Sequence, residues 1–193
     1  MPERKFSPWT SRVLVAVCAW GIGAACASDA VSAPQPDPAP PAVQQAANPL
    51  RLAGQGQMRF LGLRIYDARL WVGPQFDAKA FGAHPLALEL TYHRAFSAQA
   101  IARRSVEEID RQRPLEPEQA ARWTAQLAQW LPDVQAGDRL TGLYLPGQGM
   151  RLWHGEQALA TLADAELARH FFGIWLSPLT SDPGLRAALL GAP

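Results

Sequence analysis

The sequence predicts an α+β domain in which an antiparallel β-sheet is covered on one face by helices. Three observations predict it. Segments with apolar residues at every second position cluster between residues 50 and 92 and again between 139 and 162. Two stretches with helical spacing separate the clusters, and two more follow the second. Short Gly-containing turns join the later strands, which marks an antiparallel meander. The order β-β-β, α-α, β-β-β, α-α places helices together on one side of a sheet. With 193 residues, 48% of them hydrophobic and 18% charged, the chain suits one globular domain and is too apolar for a disordered one. Eighteen basic side chains against 17 acidic ones give a net charge of +1, which excludes a broad electrostatic surface for nucleic acid.

The opening segment reads as an address. Arg4, Lys5 and Arg12 precede an uncharged run over residues 13–28, and small residues surround Ala25-Cys26-Ala27. This is the pattern of a secretory signal peptide over residues 1–27 and implies export, with the periplasm as the expected compartment. The apolar run is shorter than the roughly 20 residues of a membrane span, so the mature chain is expected to have no transmembrane segment. Cys18 and Cys26 both fall in this leader, leaving a mature domain without disulfides or Cys ligands. A second reading makes Cys26 a lipid anchor. Residues 28–47 contain five prolines and read as an extended, disordered tether. The folded domain is expected over residues 48–193.

Strand signals begin at Leu50-Arg51-Leu52, pass Gly54-Gln55-Gly56 and resume at Met58-Arg59-Phe60-Leu61. In the next segment, residues 63–72, Tyr66, Ala68, Leu70 and Val72 share one face because alternate residues of a strand point the same way. Residues 86–92 form a third strand with Leu86, Leu88, Leu90 and Tyr92 on one side. Ser97 is placed to cap a helix over residues 98–113, which carries Ile101, Ser105, Val106 and Ile109 at helical spacing. Pro117 opens a second helix with a stripe of Trp123, Leu127, Trp130 and Leu131. Strands follow at 139–145, 150–154 and 157–162. Asp164 then caps a helix bearing Leu167, Phe171, Ile174 and Trp175, and Asp182-Pro183 opens a last helix ending before Gly191.

Several motifs fail on inspection. Gly54-Gln55-Gly56-Gln57-Met58-Arg59 begins like a dinucleotide fingerprint but has Arg59 at its sixth place and leads into a strand, where the phosphate site needs a helix N-terminus. His84, His93, His154 and His170 contain no pair at helical metal-ligand spacing. No metal and no cofactor are therefore expected. Glu107-Glu108 reads as a solvated helix face. The polar residues that hold attention sit in apolar strands: Tyr66, Tyr92 with His93 and Arg94 at its end, and Tyr144. A buried phenol is often simply a core residue with a partner for its hydroxyl. Alternatively these hydroxyls, with Arg59 or Arg94, line a cavity in which a guanidinium grips an anion.

Taken in order, Gly54-x-Gly56, Ile65-Tyr66-x-Ala68-x-Leu70-Trp71-Val72, Leu88-x-Leu90-x-Tyr92, Gly137-Asp138-Arg139-Leu140, Phe171-Phe172-Gly173-Ile174-Trp175-Leu176 and Leu185-Arg186-x-x-Leu189-Leu190-Gly191 resemble the bacterial chalcone isomerase-like domain. The resemblance covers about residues 50–191. It implies an open-faced sandwich, a large antiparallel sheet roofed by helices with a cleft between. Plant relatives divide into enzymes that cyclise chalcones to flavanones and non-catalytic members that bind fatty acids. Both use an arginine just after the glycine pair and a polar residue on the next strand. Here Met58 stands at the arginine position and Arg59 one residue later, and a one-residue slip on a strand turns a side chain to the other face. Tyr66 falls at the polar position.

The leader, the apolar strand faces and the resemblance together lead to the expectation of an exported, non-catalytic domain that binds a small apolar or amphipathic ligand such as a fatty acid, through Arg59, Tyr66, Tyr92 and Arg94, with no residue assigned to catalysis. Two alternatives stand beside it. One is an isomerase or lyase acting on a chalcone-like phenolic enone. The other is a cell-envelope interaction module with a closed cleft and a protein partner the sequence does not identify.

Overall fold

A computed structural model describes residues 38–191. The expected leader with Cys18 and Cys26, and residues 28–37 of the expected tether, lie outside the described residues. Within the tether, residues from 38 onward belong to the fold. A short helix α1 (Pro41–Gln44) buries Ala42 and Val43 against the sheet. Proline at its first turn is compatible with a helix, since the missing N–H has no intrahelical partner there in any case.

Six strands form one antiparallel sheet in sequence order: β1 (Arg51–Phe60), β2 (Leu63–Val72), β3 (Leu86–Tyr92), β4 (Arg139–Leu145), β5 (Gly149–His154) and β6 (Gln157–Leu162). The two strand signals flanking the glycine pair are one continuous strand, β1. It turns into β2 through Leu61 and Gly62, at φ 49° and 80°, the two positive values that a tight hairpin turn demands. A 3₁₀ turn over Ala78–Ala83 leads into β3. Helices α2 (Ala98–Gln112) and α3 (Pro117–Trp130) intervene between β3 and β4, and α4 (Ala165–Leu176) and α5 (Pro183–Leu189) follow the sheet. Ser97 Oγ accepts from Ala100 N at 3.2 Å, Asp164 Oδ1 from Leu167 N at 2.9 Å and Asp182 Oδ1 from Leu185 N at 2.8 Å. Each cap satisfies a donor that the first helical turn leaves open.

The register carries the inward row from strand to strand. Tyr66 lies opposite Tyr92, Leu88 opposite Gly142, and Gly142 opposite Leu152. On this face Ala68, Leu70, Leu86, Leu88 and Leu152 pack with Leu167, Phe171, Phe172 and Leu176 of α4. Burying each such aliphatic or aromatic side chain is worth about 1.5–3 kcal/mol, which is what holds α4 on the sheet. Gly142 makes room for it, because a Cβ there would lie 2.9 Å from Phe172 Cζ. The opposite face is not purely polar. Trp71, Ala87, Leu143 and Trp153 form a second apolar cluster on it, and α1 covers that cluster.

The glycine pair of β1 has a packing role. A Cβ on Gly54 would lie 2.2 Å from Ala188 O and 2.6 Å from Leu189 O, and one on Gly56 would lie 2.7 Å from Leu185 Cδ1. Glycine at these two places lets α5 rest directly on the strand backbone.

Candidate functional site

Between the inward face of the sheet and helices α2, α4 and α5 lies a cavity of about 400 Å³. That volume falls within the ~300–1,000 Å³ of small-molecule sites. Met58, Leu88 and Leu90 belong to its floor, and Ile101, Ile174 and Trp175 to its roof. Its wall is predominantly apolar, with a few polar groups placed at separate points.

Tyr66 and Tyr92 line it together, as the alternation of β2 and β3 requires. Their rings meet edge to face at 5.9 Å. Trp175 Nε1 donates to Tyr66 Oη at 3.0 Å, so α4 and β2 are joined across the cavity. Burial pushes the Tyr66 phenol up to about 12, although the Trp175 hydrogen bond works in the opposite direction. Burial likewise raises Tyr92, with the neighbouring Tyr66 adding to it. Both phenols are therefore neutral hydrogen-bond groups at ordinary pH, and among the described residues Tyr66 Oη donates to none.

The two arginines expected at the site are elsewhere. Arg59 is exposed, with Nη1 3.5 Å from Gly62 O, and does not line the cavity. Met58, opposite Tyr66, and Phe60 line it instead. The register between β1 and β2 does break between Met58 and Arg59. The break leaves Ile65 without a partner on β1 and does not bring the guanidinium inward. Arg94, just beyond β3, is exposed and outside the lining as well. Tyr144 also points inward but at a different place, donating to Gly82 O at 2.9 Å.

The charged groups that do line the cavity come from α2 and the start of α5. Arg104 lies at the mouth, with its side chain 54% exposed, and its Nη2 is paired with Glu108 Oε1 while Nη1 reaches Glu107 Oε2 at 3.4 Å. Glu108 is only 5% exposed, and its Oε2 is buried without a hydrogen-bond partner among the described residues. The expectation that Glu107-Glu108 forms one solvated face is thus half wrong: Glu107 is solvated and Glu108 faces the cavity. The signal was in the spacing. Ile101, Ser105, Glu108 and Ile109 fall at i, i+4, i+7 and i+8, the same stripe that carries the apolar contacts.

Among the described residues, no cluster of three or more His, Cys, Asp or Glu side chains could hold a metal ion, and no helix is long and apolar enough to cross a membrane. What the arrangement offers is an apolar chamber with neutral phenols on its floor and the Arg104–Glu108 pair in its wall.

By sequence, no curated protein matches the chain. The model of a family described as chalcone isomerase-like matches residues 38–191. Among solved structures, the crystal structure of an Arabidopsis thaliana fatty-acid binding protein is similar, with a TM-score of 0.55 and 12% sequence identity. The similarity covers 74% of this chain and 87% of that one, and at that identity it is a likeness of fold.

Proposed function

The chain belongs to the chalcone isomerase-like family, and on that premise we propose that its domain is a non-catalytic binding protein for a single-chain amphiphile, the class that includes fatty acids. The observation that carries this reading is the 400 Å³ apolar cavity with Met58 at the position where the family resemblance expects an arginine. Enclosure by Leu88, Leu90, Ile101 and Ile174 suits a hydrocarbon chain, whose transfer from water is favourable in proportion to the apolar area covered. Cyclising a phenolic enone asks for preorganised donors where negative charge develops, and Met58 supplies none. The open volume speaks against a closed cleft serving only as a protein-docking module. Export to the periplasm is part of the proposal and rests on the basic start, short apolar run and small residues of the leader.

Native mass spectrometry of the purified domain, followed by titration with decyl-chain amphiphiles, tests the reading. One ligand per chain is expected, and Ile174→Trp, which fills the roof, is expected to abolish uptake with the fold intact. A protein that takes up none of these ligands, or an Ile174→Trp variant that binds as the wild type does, would overturn it.

A further inference from the structure

The polar groups of the cavity have a definite electrostatic sense. Its lining carries one guanidinium, Arg104, against two carboxylates, Glu108 and Asp182. Arg104 is already engaged by Glu107 and Glu108. Asp182 gives Oδ1 to the α5 cap, accepting from Leu185 N at 2.8 Å. Glu108 Oε2 is the exception: it belongs to a residue of the cavity wall, it accepts from nothing among the described residues, and it is closed off even to a water-sized group, so a donor reaches it by a turn of the Glu108 side chain toward the cavity. Buried acceptors in native proteins are nearly always partnered, so one that is not marks a place where a donor is due. On the floor, Met58 brings no charge to the lining.

We infer that the Glu108 side chain turns its unpartnered oxygen to the ligand, so that the cavity selects an amphiphile whose head group donates a hydrogen bond, a hydroxyl or a protonated amine, and discriminates against a carboxylate of the same chain length. This inference rests on the carrier reading and specifies the head group it takes. A carboxylate at that place would bring its charge against Glu108 in a water-poor enclosure, where like charges repel more strongly than in bulk water. An alcohol or amine supplies the missing donor and leaves the Arg104–Glu108 pair in place. The phenols of Tyr66 and Tyr92 serve the oxygen of an alcohol better than the nitrogen of an ammonium, which has no lone pair to offer. The two head groups thus differ in which wall they use.

Isothermal titration calorimetry of decanol, decylamine and decanoate at pH 7.5, with the wild type and Glu108→Gln, tests the inference. In the wild type at least one of the two donor head groups is expected to bind about tenfold or more tighter than decanoate, the scale of one hydrogen bond to a charged acceptor. Decylamine leading identifies the charge of Glu108 as the selector, and decanol leading identifies its hydrogen bond together with the phenols. In Glu108→Gln the decylamine affinity is expected to fall about tenfold and the decanoate affinity to rise. Decanoate binding tightest in the wild type overturns the head-group inference and leaves the carrier reading standing, as does a ranking unmoved by Glu108→Gln. Failure of all three ligands overturns the carrier reading itself. The wild-type ranking decides even if the variant does not fold.

Discussion

Trp175 of α4 and Tyr66 of β2, 109 positions apart in sequence, are joined by a 3.0 Å hydrogen bond from the indole Nε1 to the phenol oxygen. Both residues line the cavity, so this bond ties roof to floor at the place where a ligand would sit. Tyr66→Phe removes the acceptor and leaves a mostly buried indole N–H without one, a loss of about 1–3 kcal/mol. Urea denaturation is expected to show that loss as a lower midpoint with little change in slope. An unchanged midpoint would mean that the indole finds another acceptor.

The three tyrosines of the chain give a direct reading in alkali. Tyr66 rises from 10.0 to about 12 through burial, and Tyr92 and Tyr144 are raised by burial as well. A phenol harder to ionise when folded stabilises the fold fully below its unfolded value near pH 10. That contribution is lost as pH climbs through the folded value, here between about pH 10 and pH 12 for Tyr66. Ultraviolet absorbance of phenolate is therefore expected to be nearly absent in the native protein at pH 10 and to develop there once the chain is unfolded in denaturant. Native titration of any one tyrosine below pH 10 would contradict the burial seen here.

Met58→Arg puts a guanidinium on the cavity floor opposite Tyr66. Decanoate binding is expected to strengthen by about tenfold, the scale of a charge-assisted hydrogen bond, and decylamine binding to weaken. Calorimetry on the variant measures both. Equal or weaker decanoate binding would show that this floor position does not govern the charge preference of the cavity.

Gly54→Ala tests how α5 is held. The added Cβ would fall 2.2 Å from Ala188 O and 2.6 Å from Leu189 O, contacts with backbone that no rotamer change relieves. Overpacking of this kind costs about 1–3 kcal/mol. Because Asp182 and Leu185 at the start of α5 line the cavity, ligand affinity is expected to drop along with the thermal midpoint. A variant with the stability of the wild type would refute the close approach of α5 to β1.

Much of this architecture could be read from local pattern, and the failures are instructive. The strands at 63–72, 86–92, 139–145 and 157–162 fall where two-residue alternation places them, and the caps at Ser97, Asp164 and Asp182 act as their residue types suggest. Tyr66 and Tyr92 enter the cavity because both sit on apolar rows and the register sets them opposite each other. Arg59 and Arg94 were misplaced for a shared reason. Residue type marked both as anion-binding candidates, but Arg59 alternates outward from Met58 and Arg94 lies in the exposed bend after β3, so neither reaches the cavity. Ala42 and Val43 lay in a proline-rich stretch whose composition gave no hint of the Trp71–Trp153 cluster they cover.

The sequence by itself determined the kinds and order of the elements, because helix and strand periods and capping chemistry are short-range properties carried by neighbouring residues. It also determined that Met58 stands where the family resemblance expects an arginine, with Arg59 one residue later. Only the tertiary structure decided which charged groups meet in the cavity. The orphaned oxygen of Glu108, the engagement of Arg104 and the Trp175–Tyr66 bond all depend on how α2 and α4 settle over the sheet. That settling is governed by apolar packing over the whole interface, which ignores the charge of the side chains it carries inward and is written in no single stretch of the chain.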